Sequence, residues 1–246
     1  MALYRDEAVV LRTHKLGEAD RILTLLTRRR GRVRAVARGV RRTTSKFGAR
    51  LEPFNLVDLQ LAEGRTLDVV TQAVTLTPFA SRLGGDYGAY TCGTVMLETA
   101  GRVVVEEGEP APAQFQLLVG ALRALTGGER SSSEVLDSYL LRALATAGYA
   151  PSFEACARCG EIGDHRAFSP MAGGILCDRC RVPGAAHPQL ETVRLLGALL
   201  SGDWGTVSRA EAPHRREASG LVAAYVAWHL ERGLTSLAHL DRSGPG

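Results

Sequence analysis

The stretch Arg21-Ile-Leu-Thr-Leu-Leu-Thr-Arg-Arg-Arg-Gly-Arg-Val-Arg-Ala-Val-Ala-Arg-Gly-Val40 holds two runs of β-forming residues on either side of Arg30-Gly31. Leucine, isoleucine, valine and threonine are typical of strands, and a glycine among polar residues is typical of a turn. The stretch therefore predicts two strands joined by a turn. Similar runs lie on both sides of it, so that five strands are predicted, at residues 4–13, 21–27, 32–40, 54–61 and 67–76.

Five short strands with apolar residues on both faces must form a closed sheet, because an open sheet would leave its edge strands exposed. The smallest arrangement that does so is a five-stranded barrel of the oligonucleotide-binding (OB) type. A three-layer or SH3-like β-fold is the alternative that the pattern leaves open.

Beyond Pro78 the apolar residues recur at helical spacing. Helices are predicted at residues 87–105, 112–125, 131–148, 189–200 and 217–232, and the third begins with the capping-box pair Ser131 and Glu134. The fold class is thus α+β, an OB barrel followed by an all-α helical domain. The predicted domains are 1–80, an OB-fold nucleic-acid-binding domain, and 81–242, a helical domain with a zinc module at 153–183. Residues 243–246 are predicted to form a disordered tail.

Charge is distributed unevenly along the 246 residues. Residues 1–50 contain 14 Arg or Lys and 4 Asp or Glu, whereas the remainder contains 16 and 22. This asymmetry predicts that the N-terminal part meets a polyanion. No stretch reaches the roughly 20 apolar residues that span a bilayer, and the first ten residues carry charges that a signal peptide would lack. We therefore expect a cytoplasmic protein with no membrane partner.

Four of the five cysteines form two CxxC pairs, Cys156 and Cys159 followed by Cys177 and Cys180. Their spacing is typical of structural zinc sites, in which four thiolates fill a tetrahedron and leave no open position for water. The pattern predicts one structural zinc, with the segment between the pairs folded as a hairpin. A thioredoxin-type redox pair is disfavoured because two pairs follow a helix. Two neighbouring histidines, His165 and His187, are interpreted as loop residues, and Cys92 as a buried core thiol.

Basic residues dominate the third predicted strand and the loop that follows it. If the strand alternates with period two, Arg32, Arg34 and Arg38 share one face, opposite Val33 and Ala35. A row of guanidinium groups fits a phosphate backbone, and the loop is expected to be mobile until an anion orders it. The candidate nucleic-acid ligands are Arg28, Arg32, Arg34, Arg38, Arg41, Arg42, Lys46 and Arg50.

Aromatic side chains are few in this part of the chain, where only Tyr4, Phe47 and Phe54 occur. Sequence-tolerant contacts to the nucleic-acid backbone are therefore expected.

Several motifs, in their order and spacing, resemble the RecO family of bacterial recombination mediators. They are Leu16-Gly-Glu-Ala-Asp-Arg-Ile-Leu-Thr-Leu-Leu-Thr27, Ala37-Arg-Gly-Val-Arg-Arg42, Leu51-Glu-Pro-Phe54, Tyr139-Leu-Leu-Arg-Ala-Leu-Ala145, Gly148-Tyr-Ala-Pro151, Cys156-Ala-Arg-Cys-Gly160 and Gly173-Gly-Ile-Leu-Cys177. The resemblance covers nearly the whole chain. The chain departs from the family in one respect: its basic loop is rich in arginine, whereas lysine is common at this place in other members.

The resemblance implies a DNA-binding mediator and not an enzyme. Such proteins bind single- and double-stranded DNA and anneal complementary strands. With the partner RecR, they help to load RecA on gaps coated by single-stranded DNA-binding protein. A nucleoid-associated location follows from the same resemblance, which assigns no residues to the protein partners.

Two other functions remain in competition at this stage. An RNA-binding accessory factor of ribosome or polymerase would also combine an OB fold with a zinc ribbon. A zinc-dependent hydrolase or nuclease would need an open metal position and a carboxylate or histidine beside it, and the four-cysteine set argues against both.

Overall fold

The structure of the protein is a computed structural model, and it describes residues 2–230. The described residues divide into two compact units, one that ends at Glu129 and one that begins at Arg130. The boundary predicted at residue 80 coincides with the change from strands to helices, whereas the compact units divide after the third helix. Arg232, at the predicted end of the last helix, and the predicted tail 243–246 lie outside the described residues.

Five strands form a closed barrel in the first unit. They are β1 (Leu3–Leu16), β2 (Asp20–Thr27), β3 (Gly31–Ala37), β4 (Leu56–Ala62) and β5 (Asp68–Thr77). The barrel order is β1-β2-β3-β5-β4, and β4 pairs back to β1. All neighbours are antiparallel except β3 and β5, which pair in parallel at two positions, Ala35 with Asp68 and Val36 with Val69. The predicted five-stranded OB-type barrel is confirmed.

The barrel interior is filled by alternate residues of every strand. Leu23 and Leu25 of β2 and Leu59 and Leu61 of β4 are fully buried there. Burying one such side chain contributes about 1.5–3 kcal/mol, which makes this cluster the main source of stability of the barrel. Alanines at positions 8, 35 and 37 leave room for these leucines.

A β-bulge interrupts β1 at Leu11. Val10 pairs with Leu25, but Arg12 pairs with Thr24, so one residue of β1 is left over between them. Val10 faces the barrel interior. A regular strand would turn Arg12 to the same side, whereas the extra residue reverses the alternation and leaves Arg12 exposed on the outside.

The basic loop between β3 and β4 is anchored in its second half by two buried side chains, and its expected mobility stays a prediction. Phe47, which precedes the 3₁₀ turn Gly48–Leu51, and Leu51, which ends it, are buried in the barrel core. Asn55 fixes the end of the loop by donating from Nδ2 to the carbonyls of Ala49 and Arg50 at 3.0 and 3.3 Å.

Three helices complete the first unit: α1 (Phe79–Leu83), α2 (Tyr87–Val103) and α3 (Pro112–Gly127). The predicted helices 87–105 and 112–125 correspond to α2 and α3. Asp86 caps α2 by accepting a hydrogen bond from the Ala89 N–H at 2.9 Å. Helix α2 packs on β1 and β2, and Cys92 is buried on it, as predicted.

Four helices and a small hairpin form the second unit: α4 (Ser132–Thr146), β6 (Ala167–Ser169), β7 (Gly174–Leu176), α5 (Leu190–Ser201), α6 (Trp204–Arg209) and α7 (Ala212–His229). Helices α4, α5 and α7 contact one another around Tyr139, Leu196 and Tyr225. The helical domain that contains the cysteine module is confirmed. Within residues 2–230 we find no helix with the length and hydrophobicity needed to cross a bilayer.

The capping box predicted at the start of α4 does not form. Ser131 is the N-cap residue, but its hydroxyl contacts Ser133 Oγ at 2.8 Å instead of capping the backbone. Glu134 lies 3.1 Å from Arg215 of α7 in an ion pair. The Glu134 carboxylate, which the local motif assigned to the cap of α4, therefore pairs with α7 instead.

Candidate metal centre and nucleic-acid surface

The two CxxC pairs meet in space. The four sulfur atoms of Cys156, Cys159, Cys177 and Cys180 all lie within 4.8 Å of one another, and those of Cys159 and Cys177 are 3.7 Å apart. A tetrahedral zinc with Zn–S bonds of about 2.3 Å requires sulfur–sulfur distances of about 3.8 Å. The cluster can hold a metal ion, and its donor set is compatible with zinc.

Backbone pairing around the hairpin brings the two cysteine pairs together. The Ala157 N–H donates to the Ile175 carbonyl at 2.7 Å, which joins the first pair to β7. Gly174 has φ +144°, and a Cβ there would lie 2.2 Å from the Ser152 carbonyl oxygen. Only glycine permits the backbone to approach Ser152 so closely. The same approach lets the Ile175 N–H donate to the Ser152 carbonyl. The hairpin predicted between the pairs is thus present as β6 and β7.

The four sulfurs hold their protons unequally, since a hydrogen bond with Cys177 raises the pKa of Cys180 whereas the pKa of Cys156 is lowered. Burial raises the pKa of the Cys156 thiol, but backbone N–H groups, the first of them that of Cys177, donate to the sulfur and lower the pKa to about 6. Metal binding requires the thiolate. An ion pair of 2.7 Å between Glu161 and Arg179 connects the two cysteine-containing turns at the surface.

The neighbouring histidines stand apart from the sulfur cluster. His165 Nε2 lies 2.8 Å from the Glu161 carbonyl oxygen, and His187 is exposed. Within the described part of the chain, the metal-ligating group consists of the four cysteines alone. Both histidines therefore agree with their interpretation as loop residues.

A row of polar residues crosses three strands on the outside of the barrel. Arg12 of β1 pairs with Thr24 of β2, and Thr24 pairs with Arg34 of β3. Neighbouring strands lie about 4.8 Å apart, so the two arginines are separated by about 10 Å across the sheet. Both are exposed. Sequence reasoning missed Arg12, because simple alternation from Val10 places it inside the barrel.

The turn after β3 extends this basic surface. Arg38 and Arg42 are exposed, and neither pairs with a carboxylate among residues 2–230. The turn is fixed against the β1–β2 connection, because Gly39 N–H donates to Asp20 at 2.7 Å and Arg41 donates to the Glu18 carbonyl at 2.9 Å. Arg38 follows β3 and does not belong to it, so the strand alternation predicted for it ends at Ala37. We call Arg12, Arg34, Arg38 and Arg42 the basic surface.

Arg32 differs from its neighbours on β3. Its side chain is 24% exposed, compared with 47% for Arg34. It donates to the Gly101 carbonyl at 3.2 Å and lies 3.8 Å from Glu107. Arg34 Nε lies 4.0 Å from the same carboxylate.

The other predicted ligands make contacts within the barrel. Arg28, at the opposite end of β3 from Arg38, pairs with Glu7 at 3.1 Å. Lys46 donates to the Thr71 carbonyl at 2.8 Å, and Arg50 donates to the Lys46 carbonyl. These three side chains remain exposed, but phosphate contact would compete with the bonds that they already make.

The three aromatic side chains of the barrel are not available for base stacking. Phe47 and Phe54 are buried, and Tyr4 donates to Asp68 while the Arg30 guanidinium covers its ring at 3.8 Å. This arrangement favours contacts to phosphate over contacts to bases.

Comparison with known proteins decides the family. Models of the family match residues 1–79 as "Recombination protein O N terminal" and residues 84–238 as "Recombination protein O C terminal". The chain belongs to the RecO family. It is 70% identical to a DNA repair protein RecO of Nocardioides sp., over 98% of this chain and the whole of that protein.

Two further RecO proteins, of Streptomyces griseus and Cutibacterium acnes, are each 57% identical over 98% of this chain and their whole length. The resemblance noted in the sequence is confirmed. The two matched regions correspond to the strands and to the helices of this RecO-family fold.

Proposed function

We propose that this RecO-family chain is a DNA-binding protein of DNA repair and recombination that works without catalysing a covalent reaction. Its ligands are single- and double-stranded DNA. The relatives are named as DNA repair proteins, which favours DNA over RNA as the nucleic acid. The observation that carries the proposal is the row Arg12–Thr24–Arg34 across the outside of the barrel, together with the exposed Arg38 and Arg42 in the turn that follows β3.

This surface is suited to annealing complementary strands. Two DNA strands repel each other through their phosphates, and bound guanidinium groups reduce that repulsion. Each guanidinium can bind phosphate in bidentate fashion without covering a base edge. With the barrel aromatics occupied elsewhere, the bases stay free to pair with a second strand, so binding should tolerate any sequence.

The cysteine cluster serves this function by stabilising the second unit. We propose that it holds one Zn²⁺ through Cys156, Cys159, Cys177 and Cys180. Four thiolates complete the coordination, so the ion would act as a structural link and would not activate water. The ion should contribute a share of the roughly 10–16 kcal/mol measured for small zinc modules.

The family assignment supports three protein partners. We propose that the chain acts with RecR and with single-stranded DNA-binding protein, and through them helps to load RecA on coated gaps. Function in the cytoplasm at the nucleoid follows from this role. Co-purification from the native cell extract tests it, since recovery of neither RecR nor single-stranded DNA-binding protein would contradict the partner assignment.

The central test is annealing of two complementary fluorescent oligonucleotides by purified protein, without ATP or magnesium. We expect faster annealing than in protein-free buffer, and no cleavage of either strand. Competition with RNA of equal length and sequence should show preference for DNA. Equal or tighter RNA binding would instead support an RNA-binding accessory role, and no acceleration would contradict the proposal.

A further inference from the structure

One edge of β3 is covered by a segment from outside the barrel. Strand β5 pairs with β3 only at Ala35 and Val36. Nearer the start of β3, Gly31 and Arg32 form bridges with Glu107. The Gly108 N–H donates to the Arg32 carbonyl at 3.0 Å. Residues 107–108, from the α2–α3 connection, thus extend the sheet where β5 does not reach.

The close approach of this segment depends on Gly31. A Cβ at Gly31 would lie 1.7 Å from the Glu109 carbonyl oxygen, and its φ of +57° also favours glycine. The strand is therefore shaped to let the backbone of the connection lie against it.

The segment is acidic where the strand is basic. Residues 105–109 include Glu106, Glu107 and Glu109, all exposed. The Glu107 carboxylate lies 3.8 Å from Arg32 and 4.0 Å from Arg34. Direct charge-assisted hydrogen bonds are shorter, at about 2.7–2.9 Å. The carboxylate thus faces both guanidinium groups in a loose contact that a stronger anion can replace.

We propose that residues 105–109 compete with DNA phosphates for Arg32 and Arg34, so that Glu107 limits DNA binding until the segment is displaced. This rests on the proposed DNA binding by the basic surface. In the absence of DNA the carboxylate neutralises two arginines of β3. When DNA binds, phosphate replaces the Glu107 carboxylate. The segment therefore reduces the binding of weak or short ligands, which cannot displace it.

The Glu107→Gln variant should bind single-stranded DNA more tightly than the wild type. Exposed ion pairs contribute little, so the gain should be roughly two- to fivefold at low salt and should shrink as salt screens the pair. Glu106→Gln is the matched control. It removes the same charge one residue away, and no arginine within the described range lies at salt-bridge distance from Glu106, so its effect should be smaller.

Hydrogen exchange at the Gly108 amide provides a second measurement. Because this N–H bonds to Arg32, saturation with a single-stranded oligonucleotide should speed its exchange if DNA displaces the segment. Equal affinities of the Glu107→Gln and Glu106→Gln variants, or a Gly108 amide that stays equally protected with DNA bound, would overturn the inference alone. If replacing Arg38 and Arg42 left DNA binding unchanged, the proposed surface would fail, and the inference with it.

Discussion

Cys159 and Cys177 lie 18 residues apart in the chain, yet their sulfur atoms are 3.7 Å apart without a disulfide between them. Four thiolates this close together repel one another, so the fully ionised cluster needs a bound cation. The contact between the two CxxC turns should therefore be the part of the structure that changes most when the ion is removed.

Zinc content is the first prediction. Purified protein should contain one zinc per chain by elemental analysis, and Cys177→Ala should lose it, with a lower melting temperature or aggregation. Cys92→Ala is the control, since Cys92 lies outside the cluster and its replacement should keep the zinc. A zinc-free wild type, or a Cys177→Ala variant of full stability, would disprove the structural role.

The salt dependence of DNA binding tests the arginines of β3 and the following turn. If Arg32, Arg34, Arg38, Arg41 and Arg42 each bind one phosphate and Arg12 adds a sixth contact, log affinity for single-stranded DNA should fall against log salt with a slope of about −4.2. Replacing Arg34 and Arg38 by alanine should flatten that slope by about 1.4 and weaken binding to all sequences equally.

Arg194 and Arg216, exposed on helices of the second unit, provide the control for that experiment. Their double replacement by alanine should leave the slope nearly unchanged. An equal loss in both double variants would show that DNA also contacts the helices, and an unchanged slope in the Arg34 and Arg38 variant would exclude this face of the barrel.

Arg12 gives a prediction that depends on the bulge in β1. Arg12→Ala should flatten the salt slope by about 0.7, the contribution of one phosphate contact. Arg5→Ala is the matched control on the same strand, because Arg5 is exposed but pairs with Asp58 at 3.0 Å. Equal effects of the two substitutions would mean that only net charge matters and that the row from Arg12 to Arg34 is not a binding path.

Asn55 should be the most sensitive polar residue of the barrel. It is buried, bonds two carbonyls of the basic loop, and accepts from the Ala80 N–H at 3.1 Å at the start of α1. Asn55→Ala leaves these backbone groups unpaired, which should lower the free energy of unfolding by roughly 2–3 kcal/mol. Chemical denaturation measures the loss, and the exposed Gln72→Ala variant should lose far less.

The lowered pKa of His229 leads to a prediction of how the stability of the protein depends on pH. Burial lowers its pKa from the ordinary value of 6.5, although a hydrogen bond with the Pro170 backbone acts in the opposite direction. Below pH 6.5 the unfolded chain therefore binds more protons at this site than the folded chain, and stability falls as the pH falls.

A comparison of the wild type with His229→Phe isolates this effect, because every other ionisable group is common to both proteins. The difference in melting temperature should shift in favour of His229→Phe between pH 7.5 and pH 5. A difference that is constant with pH would show that His229 titrates normally in the folded protein.

The parts of the fold that follow from local patterns were predictable. The apolar runs located all five strands, and the CxxC spacing located the sulfur cluster. Helices α1 and α6 span five and six residues, too few to show a helical period. The capping box at Ser131 failed because Glu134 found a partner in α7, a tertiary contact that no local motif contains.

The candidate DNA surface likewise has residues that local patterns predict and residues whose positions depend on tertiary contacts. Arg34, Arg38 and Arg42 are exposed, in agreement with their interpretation as ligands, which stays a prediction. The position of Arg12 depends on one extra residue in the pairing of β1, and the partial burial of Arg32 depends on a segment about 75 residues away in the chain. Neither pairing register nor such a distant neighbour can be derived from strand alternation.

The two-position pairing of β3 with β5 also has a consequence for the order of folding. The meander β1-β2-β3 forms from contacts close in sequence, as does the hairpin β4-β5, and such local contacts carry a small loss of chain entropy. Strands β1 and β4 join these two halves at seven paired positions, whereas the seam between β3 and β5 closes the barrel at only two. We therefore expect this seam to form last as the chain folds, and to be among the first places where the native barrel opens in its thermal fluctuations.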